Sequence, residues 1–152
     1  MAPNISSSPQ AALHDFLLSH AEELGQLISL GRDQILFEAD DVSEHIYLVK
    51  RGRIKVFIRN HSGDPIELAI LSEGALIGEM SLLGESTRSA SCIALDEIVE
   101  LVSISRDIAM DVIEADPSIR HALIVILTQR ARDMVRFIHD FSGLTSLVSD
   151  GN

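Results

Sequence analysis

From Pro9 onward the apolar positions Leu13, Phe16, Leu17, Leu24, Leu27 and Ile28 recur at three- and four-residue steps, the spacing of one helix face. Ser8 can cap that helix, Pro9 fits its first position, and Gly31 lies just past its predicted end. Beyond Gly31 the period drops to two. Ile35 and Phe37, Ile46 and Leu48, Ile54, Val56 and Ile58, and Ile66, Leu68 and Ile70 all alternate with other residues. Arg51-Gly52 and "HSGDP", His61 to Pro65, supply the turns between them. Two further strands fit "RSASCIAL" and "EIVELVSI", so the middle of the chain predicts about eight short antiparallel strands, suited to a two-sheet roll.

Helical spacing returns after Ile104, with Ser105 as a cap for one helix and Asp116-Pro117 as cap and first residue of a second. This second helix, Pro117 to about Phe141, carries Ile124, Leu127, Ala131, Met134, Ile138 and Phe141 at alternating steps, a short heptad-like seam. Such a seam can pack on the strands or join two copies of the chain into a homodimer. The resulting division is a flexible, Ser-rich N-terminus (1–8), one domain (9–142) and a tail (143–152). The fold class is α+β: an antiparallel β-roll flanked by one N-terminal and two C-terminal helices.

Length and composition agree with one soluble domain: 152 residues, 46% hydrophobic and 23% charged, with no Trp and one Tyr. A net charge of −11 disfavours nucleic acid and anionic membrane as partners. The densest basic stretch, "KRGRIK" at Lys50 to Lys55, reads as a solvated hairpin turn. The single Cys92 excludes an internal disulfide, no secretory pattern marks "MAPNISSSPQ", and no apolar run reaches the ~18 residues of a membrane span. The cytoplasm is the expected location.

One segment, "IGEMSLLGESTRSAS" from Ile77 to Ser91, fits neither strand nor hairpin. Gly78 lets a ligand approach the backbone, and Met80 to Leu83 can form a helical turn whose free N–H groups attract an anion. Arg88 can fork onto phosphate oxygens, and Ser89 can add a hydroxyl. Glu79 beside a phosphate is unfavourable unless it has a donor of its own, and a ribose 2′-hydroxyl is such a donor. A 3′,5′-cyclic nucleotide carries both groups.

In order and spacing, Gly78, Glu79, Met80, Ser81, Leu82, Arg88, Ser89 and Ala90 resemble the phosphate-binding cassette of the cyclic nucleotide-binding domain family, with "GRIKVF" at Gly52 to Phe57 and Gly74 extending the likeness. The resemblance implies that Glu79 takes the ribose 2′-hydroxyl, Arg88 the exocyclic phosphate oxygens, Ser89 the phosphate, and the N–H groups near Met80 and Ser81 the remaining oxygens. It also implies a cyclic nucleotide, cAMP ahead of cGMP, as ligand, and no cofactor or metal. The order of elements is similar to that of Crp–Fnr regulators, in which a helix-turn-helix domain would follow.

Two positions depart from the family pattern. Glu38-Ala39-Asp40 stands where relatives show Glu-Gly-Asp, so this turn is expected to do without the positive φ of a glycine. The pair that reads the base in Crp–Fnr relatives falls, counting without gaps from "QRARDM", at Phe137 and Ile138, whose side chains can cap a purine only by apolar contact. Enzymatic readings find less support. The histidines show no metal-ligand spacing, Ser81 lacks the glycines of a nucleophile elbow, and neither a Walker-type nor a GxGxxG loop occurs. A phosphodiesterase-like reading, the distant alternative, lacks a general base placed by sequence, although His45 could assist a nucleophile.

Overall fold

The computed structural model describes residues 8–84 and 86–150, the side chains of Met80, Leu83 and residues 137–150 excepted. Helix α1 (Pro9–Leu24) precedes β1 (Gln26–Leu30), β2 (Ile35–Phe37), β3 (His45–Arg51), β4 (Ile54–Arg59), β5 (Pro65–Leu71) and β6 (Leu76–Ile77). A short 3-10 helix (Glu79–Leu83), β7 (Ser91–Ala94), β8 (Val99–Ser105), α2 (Arg106–Ala115) and α3 (Pro117–Asp150) follow. The strands form two four-stranded sheets, ordered β1-β8-β3-β6 and β2-β7-β4-β5, with every pairing antiparallel. The predicted α+β roll with one helix before it and two after is therefore the fold adopted.

Alternation along β3 and β8 divides the core in two. Ile46, Leu48, Val102 and Ile104 face the helices and pack with Leu13, Leu17 and Ala21 of α1, Ala109 and Ile113 of α2, and Ile119, Leu123 and Ile126 of α3. Val49, Val99 and Leu101 face the other way and meet Ile54, Cys92 and Ala94 between the sheets, with Phe37, Tyr47 and Val56 against them. The helical layer and the interior of the roll thus share the same two strands, so a shift on one side is felt on the other.

Three local outcomes depart from the sequence reading or refine it. The first helix stops at Leu24, and Leu27 and Ile28 belong to β1, paired with β8. Gly25 makes this corner possible, because a Cβ there would stand 2.5 Å from the Val102 side chain and 2.6 Å from the Ser103 carbonyl. The last helix continues past Phe141 into the stretch expected to be a tail and ends at Asp150, since Gly143 lowers helix propensity without removing a hydrogen bond. In the turn after β2, Ala39 is spared a positive φ but Asp40 adopts one, 75°, a conformation that Asp tolerates better than most residues.

Capping follows the sequence at two ends of three. Ser8 accepts from the Ala11 N–H at 3.1 Å, and Asp116 accepts from the Ser118 N–H and hydroxyl at 3.0 and 2.8 Å. Ser105 sits at the start of α2, but its side chain makes no capping bond. Three cations of the basic hairpin are paired locally, Lys50 with Glu22 at 2.7 Å, Arg51 with Glu100 at 3.5 Å and Arg53 with Asp96 at 2.7 Å, and Lys55 lies over the Phe57 ring. Among the described residues no helix is long and apolar enough to cross a membrane. The expected flexibility of residues 1–8 concerns, apart from Ser8, a stretch outside the described residues.

Candidate functional site

The segment after β6 turns abruptly at Gly78, where φ is 84°. Its carbonyl accepts from the Ser81 N–H at 3.1 Å and from the Ser81 hydroxyl at 2.9 Å, which closes the first turn of the 3-10 helix. Leu82 is buried in the helical core and fastens the turn to the body of the protein. The Ser81 N–H, predicted to face an anion, is thus already engaged. In this helix geometry the donors ahead of the first intrahelical bond are those of Glu79 and Met80. The Met80 side chain lies outside the described set.

Arg88 is fixed by its backbone first. Its N–H donates to the Asp41 carbonyl and its own carbonyl accepts from the Asp40 N–H, both at 2.8 Å, while Thr87 bridges Val42. From this anchor the side chain runs inward and is only 6% exposed. Nη2 donates to the His45 carbonyl at 2.7 Å. Nη1 touches the backbone at Gly78 so closely that a Cβ there would collide with it. Nε and Nη1 are buried and have no hydrogen-bond partner among the described residues. Burial pushes the guanidinium below its ordinary pKa, opposed by the electrostatic influence of Tyr47, Cys92 and Asp41 and by a hydrogen-bonding pull from the Tyr47 hydroxyl that leaves Nε and Nη1 unpartnered.

A buried cation with empty donors is costly, on the order of 1–3 kcal/mol per unsatisfied group, unless an acceptor reaches it. The groups at the start of the 3-10 helix and on Arg88 share a preference for an anion, and they meet at Gly78. Glu79 is among the residues lining a groove of about 600 Å³ between α1 and α3, alongside Leu13, Leu17, Leu76 and Ile126, and Arg88 is not part of that lining. The carbonyl of His45 holds Nη2 of the guanidinium, and Glu79 follows Gly78 directly in the chain.

The remaining predicted residues divide plainly. Ser89 is exposed and Ala90 half-buried directly after Arg88, both available to a ligand held there. The side chains of Phe137 and Ile138, proposed to cap the base, lie outside the described residues. His45 contributes its backbone carbonyl to Arg88, and its ring stands 6.3 Å from that of Tyr47. Sequence reasoning missed Phe37 and Tyr47, whose rings lie 4.1 and 5.7 Å from the Arg88 guanidinium carbon. Their signal was available: in a chain only 4% aromatic, two rings precede the cassette on inward-facing strand positions. Among the described residues no cluster of His, Cys, Asp or Glu could hold a metal ion.

Comparison with known proteins gives one consistent result. Residues 27–116 match the model of the family described as cyclic nucleotide-binding domain. The cyclic AMP receptor protein of Thermus thermophilus is 36% identical over 64% of this chain and 45% of its own length. The lysophospholipase nte1 of Aspergillus oryzae is 27% identical over 78% of this chain but only 8% of the enzyme. The chain therefore spans less than half the length of these relatives.

Among solved structures, the Thermus thermophilus catabolite activator protein superposes with a TM-score of 0.64 at 30% identity, covering 91% of this chain and 62% of that one. The EAL enzyme Bd1971 matches in a cAMP-bound form, TM-score 0.59 at 26% identity over 80% of this chain and 32% of that one. It matches also in a cGMP-bound form, TM-score 0.57 at 30% identity over 70% and 28%.

Proposed function

Because this chain belongs to the cyclic nucleotide-binding domain family, of the Crp–Fnr kind, we propose that it is a cytoplasmic sensor that binds a 3′,5′-cyclic nucleotide, cAMP in preference to cGMP, and transmits the event through α3. One observation carries the reading: a guanidinium 6% exposed, with two nitrogens lacking acceptors among the described residues, lies against Gly78 at the mouth of the 3-10 helix. A singly charged phosphodiester supplies the missing acceptors and the compensating charge together. Glu79, adjacent in the chain, would take the ribose 2′-hydroxyl after turning from the α1–α3 groove, and Ser89 would complete the phosphate shell.

The preference for cAMP rests on relatives. The Thermus thermophilus homologue is a cyclic AMP receptor protein, whereas Bd1971 has forms with either nucleotide. In this reading the ligand is bound and released unchanged: among the described residues the guanidinium is held by a carbonyl, lies over two rings and touches a glycine backbone, a set suited to gripping a phosphate. Withdrawal of Glu79 from the groove it lines would alter the packing of α1 on α3. Ligand binding then shifts α3 between arrangements that differ in affinity for the nucleotide. Exposed Ile124, Leu127 and Met134 on α3 suit pairing with a second copy in a homodimer.

A second reading, the sensory half of a Crp–Fnr transcription regulator, is favoured by the 62% coverage of the catabolite activator protein chain. DNA contacts would then belong to a domain outside the sequence studied. The test of the ligand assignment is thermal unfolding with cAMP, cGMP and 5′-AMP in parallel. At 100 times its dissociation constant, a cyclic nucleotide should stabilise the fold by about 2.7 kcal/mol, and 5′-AMP by much less. Equal shifts with all three, or none, would overturn it.

A further inference from the structure

Arg88 presents a physical problem that its proposed ligand does not solve. The fold must hold a buried cation in place before any nucleotide arrives, yet leave its N–H groups free. A carboxylate partner would satisfy the first demand and defeat the second, because it competes with phosphate for the same donors. Among the described residues Arg88 makes no ion pair.

We propose that Phe37 and Tyr47 are positioning residues for ligand affinity: their rings form a cradle that holds the Arg88 guanidinium charged and oriented while leaving Nε and Nη1 available to the phosphate. This rests on the cyclic nucleotide reading and adds to it a pair of residues outside the cassette. The Phe37 ring centroid lies 4.1 Å from the guanidinium carbon, the Tyr47 centroid 5.7 Å, and the two rings are stacked 6.1 Å apart. An aromatic face attracts a cation through its quadrupole, whereas the N–H donors of a guanidinium lie in its own plane. Rings therefore compensate charge without occupying donors.

The backbone is arranged to this end. On β2, Ile35 pairs with Ile93 but Phe37 with the adjacent Cys92, so an extra residue bulges out between them. Such a bulge re-aims a side chain, and here it leaves Phe37 packed on the interior of the roll, opposite Cys92. Tyr47 points to the same interior by the alternation of β3, and the His45 carbonyl two residues earlier accepts the hydrogen bond from Nη2 that fixes the guanidinium. Burial raises the Tyr47 phenol above its ordinary pKa, so it stays neutral and does not act as a counter-ion.

The experiment pairs a titration with a measurement on the ligand-free protein. Phe37→Leu keeps an apolar side chain and removes the quadrupole. It should raise the dissociation constant for cAMP roughly 3- to 30-fold, the span of a desolvated cation–π contact, and Phe37→Tyr should restore it. Tyr47→Leu should act in the same direction, less strongly because its ring is farther away, and Tyr47→Phe, which keeps the ring and loses only the hydroxyl's pull on the guanidinium, should recover most of that loss. In the arginine region of a ¹⁵N-resolved NMR spectrum without ligand, the Arg88 Nε–H, assigned by its loss in Arg88→Lys, should carry a ring-current shift that Phe37→Leu abolishes.

Unchanged affinity in Phe37→Leu, or no rescue by Tyr, would overturn the cradle. So would an Arg88 signal without a ring-current shift in a protein that binds cAMP, with the functional reading left intact. A shifted Arg88 signal in a wild-type protein that binds no cyclic nucleotide would instead uphold the ring geometry and remove the functional reading.

Discussion

At Gly78 the backbone has φ 84° and the Arg88 guanidinium fills the space a side chain would take. Gly78→Ala should therefore cost about 1 to 3 kcal/mol of stability in urea unfolding and weaken nucleotide binding as well, because the new methyl group displaces Nη1. A variant that binds like wild type would show that Nη1 need not touch the glycine. Cys92, nearby on β7, has its thiol pushed up to about 12 by burial, against the opposing pull of Arg88. The fold thus favours the neutral thiol. Its contribution to stability is complete below the unfolded value of about 8.5 and declines as pH rises toward 12, by at most about 1.4 kcal/mol per pH unit. Between pH 8.5 and 10.5 wild type should lose stability faster than Cys92→Ala; parallel losses would contradict the assignment. The thiol should also resist alkylation at pH 8 except through unfolding.

At the scale of elements, the corner between α1 and β1 shows what sequence could and could not convey. Leu27 and Ile28 continue the helical spacing of Leu13, Leu17 and Leu24, and nothing local distinguishes them from helix. The decision is made by pairing with β8, a contact more than seventy residues away in the chain, and by Gly25, whose lack of a Cβ lets α1 close against Val102. Gly25→Ala should destabilise the fold by about 1 to 3 kcal/mol, measured by denaturant midpoint, since both colliding atoms belong to a packed strand. An unchanged midpoint would mean that the corner can open without loss.

The cassette, by contrast, was legible because its chemistry is local: glycine, helical turn and arginine lie within eleven positions, and the structure joins them at one point. What was not legible was the direction of each side chain. Whether Glu79 faces Arg88 or the α1–α3 groove depends on packing by elements far apart in sequence. The rings of Phe37 and Tyr47 reach Arg88 through a bulge and a strand alternation that carry no motif.

For the molecule as a whole, the two cores share β3 and β8, the route by which the proposed transmission from the roll to the helices would run. If α3 joins two copies, Ile124→Glu combined with Met134→Glu should yield monomers in sedimentation velocity, since a buried carboxylate on each helix costs more than the apolar contact returns. An unaltered mass would place any dimer contact elsewhere. The central claim is that the Arg88 guanidinium is the phosphate ligand, and it is tested most directly by calorimetric titration of cAMP into wild type and Arg88→Lys. Lysine keeps the charge and loses the planar donors, so affinity should fall by on the order of 2 kcal/mol or more, roughly 30-fold. Equal affinity in the two proteins would contradict it.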